Sequence, residues 1–427
     1  MYYEERWSAF KKAIDEKGAN GGKIVEAMQD YYTIFEDKAL AWLGSLFDPD
    51  IGGFYYSESA RDNEMIHFNG KDYPFMPDIE STNQATNFLI SNEIFKNGKD
   101  FPEWMVKKMA KFICDRQDPE TGFFYHPQWG KELTDTKPSR RGRDLMWSIS
   151  MAEKFDFKLP YPTANERLAA ALKGKNEDSV AAIPEYLRSK EKFIEYMDSL
   201  DFVNKAYWSG NQIAAQAGVI KAAGLADVCA AYLNERQDPE TGYWGKDGGW
   251  SAINGFLKIS AFYEEAGIPI NNAEKVVKYA LECGISNDPL PGSVCFQYNV
   301  WFSVWNILNN LRKFGGVDGN RKADVAVVEM LNNAPAAIES SKQKALIFKK
   351  PAGCFSMAPD QSSGTSQGMP TAVFYTNEGD INANGICSSG TARFIFRAME
   401  LEDHYIPIFS PAGREVFLSA LKLPKEM

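Results

Sequence analysis

A seven-residue segment occurs twice in this chain and constrains its architecture more than any other feature. Residues 117–123 are QDPETGF, and residues 237–243 are QDPETGY. A looser copy, DPDIGGFY, occupies residues 48–55, and a fragment, PAGCF, occupies residues 351–355. Proline fixes its own φ and glycine tolerates a positive φ, so the segment predicts a tight structural turn. Its recurrence predicts that one helix–turn–helix unit is repeated along the chain.

The segments between the turns carry apolar residues at intervals of three and four, which is typical of helices. Two helix types alternate: a charged, amphipathic outer type, and an inner type that is small, apolar and rich in amides. Residues 211–224, NQIAAQAGVIKAAG, contain a single charge, and a helix that is apolar on all sides is buried. Strand-like patterns are confined to short hairpin-like pieces such as residues 371–375. The predicted helices are 24–46, 80–95, 101–113, 142–155, 182–200, 208–223, 225–236, 250–266, 272–283, 295–314, 321–343, 384–401 and 410–421.

About six pairs of outer and inner helices predict an all-α fold, an (α/α)6 toroid of about six helical hairpins. We expect a single domain over residues 1–427, with a lead-in helix over 1–22 and a long loop or lid over 345–383. Long loops at the mouth of the central cavity complete this prediction.

The repeated turn resembles the QW repeats of the terpenoid cyclase and prenyltransferase toroids, within the α/α toroid superfamily that also includes six-hairpin glycosidases. The residues that carry the resemblance are Gln117 and Gln237, the DPETG that follows each, and the aromatic residue after it. The resemblance implies that the glutamine caps a helix end and that the aromatic ring stacks on it. It implies a fold rather than a chemistry, because unrelated activities share one fold.

Composition excludes several classes of function. Hydrophobic residues make up 44% of the 427 residues and charged residues 24%, which is normal for a soluble globular protein. The formal net charge is −10 and no basic stripe is present, so no nucleic-acid partner is predicted. No apolar run approaches the roughly 20 residues that span a bilayer, so no membrane partner is predicted either.

The N-terminal sequence and the cysteines predict a cytoplasmic protein. Residues 1–7, MYYEERW, lack the basic and apolar regions of a secretory signal. Six cysteines are scattered without CxxC spacing, as expected of free buried thiols in a reducing compartment. Three histidines, none at ligand spacing to a cysteine, argue against zinc, and neither a metal nor another cofactor is predicted.

Candidate site residues follow from the repeat. The N-terminal ends of the inner helices should face the cavity mouth, where their partial positive charge suits anionic groups. The predicted catalytic residues are Glu80, His126, Asp144 and Asp247. The predicted substrate-binding residues are Asn83, Gln84, Tyr125, Trp129, Arg143, Trp147, Tyr207, Trp208, Asn211, Gln212, Trp250, Asn254 and Tyr298.

This mixture of aromatic rings, amides and acids favours a carbohydrate, because sugar rings stack on aromatic side chains and their hydroxyls need polar partners. An apolar substrate would leave buried amides unmatched at about 1–3 kcal/mol each. We therefore predict a glycoside hydrolase that cleaves imported oligosaccharides with two carboxyl groups. The pair is expected among Glu80, Asp144 and Asp247, with Asp144 as the acid because an apolar helix follows it.

Three alternatives remain open from the sequence. The first is an oligosaccharide (uronate) lyase, for which Asn83 or Asn211, Arg143, His126 and Tyr207 supply the charge-neutralising and acid/base groups. The second is a terpenoid cyclase or prenyltransferase, which lacks support because no DxDD, DDxxD or Asp/Cys/His zinc motif is present. The third is a toroid that binds a small molecule or protein without catalysis. The sequence does not predict the sugar, the linkage or the oligomeric state.

Overall fold

The fold is mostly helical. The computed structural model describes residues 2–173, 184–246 and 248–425, with 59% helix and 6% strand. This content agrees with the predicted all-α class. No helix in these three ranges has the length and apolar character needed to cross a membrane.

Twenty α-helices are described, numbered here in chain order. They are α1 (Glu4–Glu16), α2 (Gly21–Tyr32), α3 (Lys38–Ser45), α4 (Glu58–Asp62), α5 (Ile79–Ser91), α6 (Glu103–Cys114), α7 (Gly130–Asp135), α8 (Pro138–Phe155), α9 (Ala164–Lys173), α10 (Lys190–Asp198), α11 (Ala206–Ala214), α12 (Ala217–Ala222), α13 (Ala226–Asn234), α14 (Gly249–Ala266), α15 (Ala273–Ile285), α16 (Cys295–Phe314), α17 (Gly316–Leu346), α18 (Ile381–Gly385), α19 (Thr391–Ala398) and α20 (Gly413–Ala420). A π-helical turn, Ile386–Gly390, joins α18 to α19.

Three small antiparallel hairpins accompany the helices. They pair β1 (Phe47–Asp48) with β2 (Gly53–Phe54), β3 (Met65–Phe68) with β4 (Lys71–Pro74), and β5 (Thr365–Ser366) with β6 (Met369–Pro370). The registers place Phe47 opposite Phe54, and Thr365 opposite Pro370. The strand predicted near residues 371–375 is wrong, because the pairing stops at Pro370.

Two helix predictions also need correction. Residues 24–46 do not form one helix: the chain leaves the helix after Tyr32, where the Thr33 hydroxyl donates to the Asp30 carbonyl oxygen, and re-enters it at Lys38. Residues 208–223 form α11 and α12, and they are not buried on all sides, since Trp208 is 65% exposed and Gln212 is exposed. Alanine and glycine carry too little apolar surface for their exposure to cost much. Of the predicted helix 182–200, residues 182 and 183 lie outside the described ranges.

The repeated turn has the same geometry in its two strict copies. The backbone N–H of Asp118 donates to the Phe123 carbonyl oxygen at 2.8 Å, and that of Asp238 donates to the Tyr243 carbonyl oxygen at 2.9 Å. Within each turn the aspartate Oδ1 accepts the backbone N–H two residues later, at 3.1 Å for Asp118 and 2.8 Å for Asp238. The aspartate side chain therefore closes the turn locally.

A glycine in the left-handed region ends the turn in all four copies. The φ values are 92° at Gly52, 72° at Gly122, 75° at Gly242 and 84° at Gly353. The loose copy and the fragment are thus structural members of the repeat. Only glycine adopts this backbone conformation without strain.

The glutamine of the repeat bonds to the loop that follows the next long helix, α8 for Gln117 and α14 for Gln237, and not to the end of its own helix. Gln117 Nε2 donates to the Tyr161 carbonyl oxygen, and its Oε1 accepts the Tyr161 N–H, both at 2.9 Å. Gln237 Nε2 donates to the carbonyl oxygens of Asn271 and Gly242, both at 2.8 Å. The glutamine therefore joins consecutive units of the repeat.

Six helical segments contact one another in chain order: α5, α8, α11, α14, α16 and the α18–α19 segment. The pairs α5/α8, α11/α14, α14/α16, α16/α19 and α18/α5 are in contact. Between α8 and α11, Asn211 Nδ2 donates to Ser139 Oγ at 3.3 Å. The outer partners include α17, which packs on α2, α15 and α16.

Amides link these buried helices to their neighbours. On α16, Asn299 Nδ2 donates to Asn254 Oδ1 at 2.7 Å, and Asn306 Nδ2 donates to Ser260 Oγ at 3.0 Å. Asn310 bonds to the backbone of the loop after α14. Much of the amide content of the inner helices thus satisfies polar groups inside the packing, as buried polar atoms require.

Replacement of Gly122 by alanine should destabilise the fold. A Cβ there would lie 2.4 Å from the Pro162 carbonyl oxygen, at a backbone conformation that disfavours L residues. We expect Gly122→Ala to lower the free energy of unfolding by about 1–3 kcal/mol. Gly142→Ala is the control: its Cβ meets no atom within 4 Å, and it should stabilise α8 by about 0.5–1 kcal/mol. Equal changes in the free energy of unfolding for the two variants, measured by urea titration, would contradict this account of the turn.

Candidate active site

The side chain of Arg140 is fully buried and binds three carboxylates. Its Nη2 donates to Asp78 Oδ1 and its Nη1 to Glu80 Oε2, both at 2.8 Å. Its Nε lies 3.0 Å from both oxygens of Asp144, and the ring of Trp129 covers the guanidinium at 4.7 Å. Asp78, Glu80, Arg140 and Asp144 are at most 2% exposed, and we call them the Arg140 cluster.

The cluster is assembled by two helix starts. Asp78 is the N-cap of α5, where its Oδ1 accepts the Ser81 N–H at 3.0 Å, and this places Glu80 in the first turn. Arg140 and Asp144 stand four residues apart on α8, the spacing at which helical side chains meet. The contact between α5 and α8 brings the two pairs together.

The charges of the cluster do not balance. Arg116 is a second buried guanidinium close enough for Asp78 and Asp144 to act on its pKa, which burial lowers to about 10. Two buried cations therefore face three buried carboxyl groups. An uncompensated buried carboxylate is costly, which favours the protonated form of the carboxyl group with the weakest compensation.

Glu80 is that carboxyl group. Its Oε2 accepts hydrogen bonds from Arg140 and from the Ser366 hydroxyl, but its Oε1 has no hydrogen-bond partner among the described residues. Burial raises the pKa of Glu80 in spite of the nearby charges of Arg140 and Arg143. The unpartnered oxygen can hold a proton at a pH where an exposed glutamate cannot.

Asp144 is held in the opposite state. Burial disfavours its ionised form, but the charge of Arg140 outweighs burial, and the pKa of Asp144 is lowered. An aspartate of this kind remains an anion at neutral pH. Its surroundings thus argue against the proton-donor role predicted for Asp144, because the sequence pattern showed the apolar helix that follows but not the arginine that pairs with it.

His126 supports Asp144 from the other side. It is 0% exposed, its Nε2 lies 3.3 Å from Asp144 Oδ2 without hydrogen-bond geometry, and its ring lies 4.7 Å from that of Trp129. Burial lowers the pKa of His126, so the neutral imidazole is favoured. The residue behind the first strict turn therefore packs against the cluster.

The β5–β6 hairpin covers the cluster. Ser366 donates to Glu80 Oε2, and the neighbouring Gln367 bonds through its Oε1 to the hydroxyl of Ser139 at 3.1 Å. A Cβ at Gly368 would touch the side chain of Lys137, just before α8. The segment predicted as a loop or lid thus supplies a residue that bonds to the cluster.

A second group of side chains lies beside the cluster. Lys258 Nζ is 5.3 Å from the ring centre of Tyr207, and Arg143 Cζ is 5.8 Å from that of Trp147. The charge of Arg143 acts on the pKa of Glu80, Tyr207 and Lys258, which places Arg143 near all three. Burial, and then Arg143, lower the pKa of Lys258 to about 8.

Three predicted binding amides are already engaged. Asn83 Oδ1 accepts Lys154 Nζ at 3.1 Å, and burial lowers the pKa of that lysine to about 7. Asn211 bonds to Ser139, and Asn254 to Asn299. These residues lie on the helices that contact one another in the centre, where they also hold the packing.

The remaining predicted residues are more scattered. Tyr207, Trp208 and Asn254 line a cavity of about 320 Å³ at the starts of α11 and α14. The other five predicted binding residues make no hydrogen bond to the Arg140 cluster. The predicted catalytic residue Asp247 lies outside the described residues. The five are Gln84, which is half-buried; Tyr125, bonded to Asp135; Gln212, exposed; Trp250, beside Lys344; and Tyr298, packed on Phe302 and Phe394.

The sequence interpretation missed Arg140 and Ser366. The i, i+4 spacing of Arg140 and Asp144 was a usable signal for a helical ion pair. Nothing in the sequence around Ser366 indicates its contact with Glu80, since 286 positions separate the two residues. Within the described ranges, no group of three or more His, Cys, Asp or Glu side chains is arranged to hold a metal ion.

Comparison of the chain with protein-family models, with curated proteins and with solved structures gave no match.

Removal of the Arg140 guanidinium should destabilise the protein strongly. Arg140→Met leaves three buried carboxyl groups without their shared partner, and we expect a loss of about 3–5 kcal/mol in the free energy of unfolding. The orphaned carboxyl groups would have raised pKa values, so the loss should grow as the pH rises above their unfolded values. Arg141→Met, which removes a partly exposed ion pair to Asp135, should cost no more than about 1 kcal/mol. Similar losses for both variants in chemical denaturation would contradict a central role for Arg140.

Proposed function

We propose that this chain is a carbohydrate-active enzyme, a glycoside hydrolase in which Glu80 is the proton donor. The observation that carries the proposal is the Oε1 atom of Glu80, which is buried, lacks a hydrogen-bond partner in the described chain and belongs to a carboxyl group with a raised pKa. A general acid needs a proton that is present at the working pH and an oxygen free to deliver it.

An α/α toroid is the architecture we propose around this group. The six central helical segments contact one another in chain order, and the last, α18, contacts the first, α5. Outer helices pack behind them, and four copies of one turn recur along the chain. A closed ring of six hairpins accounts for all three observations, and its centre would hold the starts of α5 and α8 together.

In the proposed reaction, Glu80 transfers its proton to the glycosidic oxygen as the C–O bond to the leaving sugar breaks. A second carboxylate either activates water or attacks the sugar, and the separation of the two carboxyl groups decides the stereochemical outcome. The sequence predicted the catalytic pair among Glu80, Asp144 and Asp247, and Asp247, which lies outside the described residues, is our candidate for this role.

The remaining members of the Arg140 cluster act as positioning residues. Arg140 fixes Glu80 Oε2, while Asp144 fixes the Arg140 Nε, and His126 and Trp129 pack against them. This arrangement leaves Oε1 as the oxygen that carries the proton, and a substrate reaches this buried atom only when the covering β5–β6 hairpin moves aside. The cavity beside Tyr207, Trp208 and Asn254 supplies aromatic faces and an amide, which suit a sugar ring.

A uronate lyase is the second candidate, and one observation favours it. Lys258 has a pKa lowered to about 8 and lies against Tyr207, with Arg143 nearby. In a lyase, Arg143 would neutralise the carboxylate of a uronate while Lys258 or Tyr207 removes the proton next to it. Such a reaction makes an unsaturated product that absorbs in the ultraviolet, whereas hydrolysis does not.

Substitution of Glu80 tests the hydrolase proposal. Glu80→Gln removes the proton donor while it preserves the shape, so we expect turnover of unactivated oligosaccharides to fall by about 10²–10⁴-fold. Activity towards dinitrophenyl glycosides should fall far less, because their leaving group needs no protonation. In the wild type, turnover should decline as the pH rises through the raised pKa of Glu80, since only the protonated form donates.

Glu132→Gln is the matched control, because Glu132 has a 90% exposed side chain on nearby α7. It should leave both activities unchanged. If Glu80→Gln lowered the two substrate types equally, Glu80 would not be the acid. If it lowered neither, the hydrolase assignment at this site would fail.

A further inference from the structure

Two cations, Arg143 on α8 and Lys258 on α14, lack an anionic partner among the described residues. Neither Arg143 nor Lys258 takes part in an ion pair or a hydrogen bond within residues 2–173, 184–246 and 248–425, where their contacts are with the rings of Trp147 and Tyr207. Both residues are partly exposed, although Lys258 is buried enough for its pKa to be lowered to about 8. Other central polar groups, such as Arg140 and Asn299, do have partners.

The two charges are close enough to repel. Arg143 lowers the pKa of Lys258 and also acts on the pKa of Tyr207 and Cys295, two residues on different helices. Like charges in a partly desolvated site destabilise each other unless an anion lies between them. The chain carries a net charge of −10, and nevertheless no acidic side chain among the described residues is in bonding contact with this pair.

We infer that Arg143 and Lys258 bind an acidic group carried by the sugar substrate, a carboxylate, a sulfate or a phosphate. A guanidinium offers paired N–H donors that match the oxygens of such groups, and an ammonium adds a point charge. The rings of Trp147 and Tyr207 flank the pair and provide faces for the sugar to which the group is attached.

The position of the pair relates this binding to the proposed chemistry. Arg143 acts on the pKa of Glu80, so an acidic group bound at Arg143 would bring its sugar close to the proposed proton donor. Binding of the acidic group does not depend on the proposed function. Only the processing of the bound sugar at this site rests on it. Binding itself can be measured without turnover.

Calorimetry with four probes tests the inference: D-glucuronate, D-glucose 6-sulfate, D-glucose 6-phosphate and neutral D-glucose. At low ionic strength, we expect at least one acidic sugar to bind about tenfold or more tightly than glucose. The acidic sugar that binds most tightly identifies the group, a carboxylate, a sulfate or a phosphate. Glucose that binds as tightly as all three acidic sugars would overturn the inference.

Variants of Arg143 and Lys258 test whether these two residues cause the preference for acidic sugars. Arg143→Gln and Lys258→Met should each weaken binding of the acidic sugar by about tenfold while leaving glucose binding unchanged. Arg141→Gln, on the same helix but paired with Asp135, is the control and should bind like the wild type. An acidic-sugar preference that survives both substitutions would overturn the assignment.

Stability separates a ligand site from a structural one. Because the two cations repel each other and bond to no described acid, ligand-free Arg143→Gln should melt at the wild-type temperature or above it. A lower melting temperature, together with unchanged binding, would show that Arg143 serves the fold. Failure of the hydrolase proposal would be seen separately, in the turnover of the Glu80 variants. The binding of acidic sugars at Arg143 would be unaffected by it.

Discussion

The burial of one guanidinium among three carboxyl groups is the interaction on which this structure depends. Arg140 is fully buried and bonds to Asp78, Glu80 and Asp144 from two helices. Such a network stabilises only when every charge has a partner, and here the carboxyl groups outnumber the nearby buried guanidinium groups. The excess favours protonation of one carboxyl group, and the unpartnered oxygen of Glu80 is the atom available for the proton. The same imbalance that makes the network costly makes it chemically useful.

The repeated turns explain how such a network is placed. Each copy ends with a glycine in the left-handed region, and in the strict copies an aspartate side chain closes the turn. The first strict copy leads directly to His126 and Trp129, which pack against Asp144 and Arg140. The turn itself carries no chemistry. It determines where the next helix begins, and the starts of α5 and α8 are where the charged side chains meet.

Local features were predictable from the sequence. The repeated turn was predictable because its proline and glycine restrict φ within a few residues. The helix over residues 295–314 was predictable because its apolar periodicity is long and uninterrupted. The sequence did not predict that Arg140 is the arginine buried among the carboxyl groups. Arg140, Arg141 and Arg143 lie within one turn of helix, yet one is fully buried and the other two are partly exposed. The difference depends on packing against α5, which adjacent positions in a sequence do not reveal. The surroundings of Asp144 were not predictable for the same reason, since the sequence does not show that Arg140 is its buried partner.

A direct measurement of the Glu80 protonation state tests the central claim. Carbon-13 NMR of protein labelled at the glutamate carboxyl carbons can follow each carboxyl group through a pH titration, and the signal missing from Glu80→Gln identifies Glu80. The account predicts that this signal titrates clearly above the ordinary glutamate value of 4.5. The protein is also expected to remain folded over the whole pH range of this titration. A Glu80 signal that titrates at or below 4.5 would show that the cluster holds all three carboxyl groups as anions, and would contradict the proposed role of Glu80 as a proton donor.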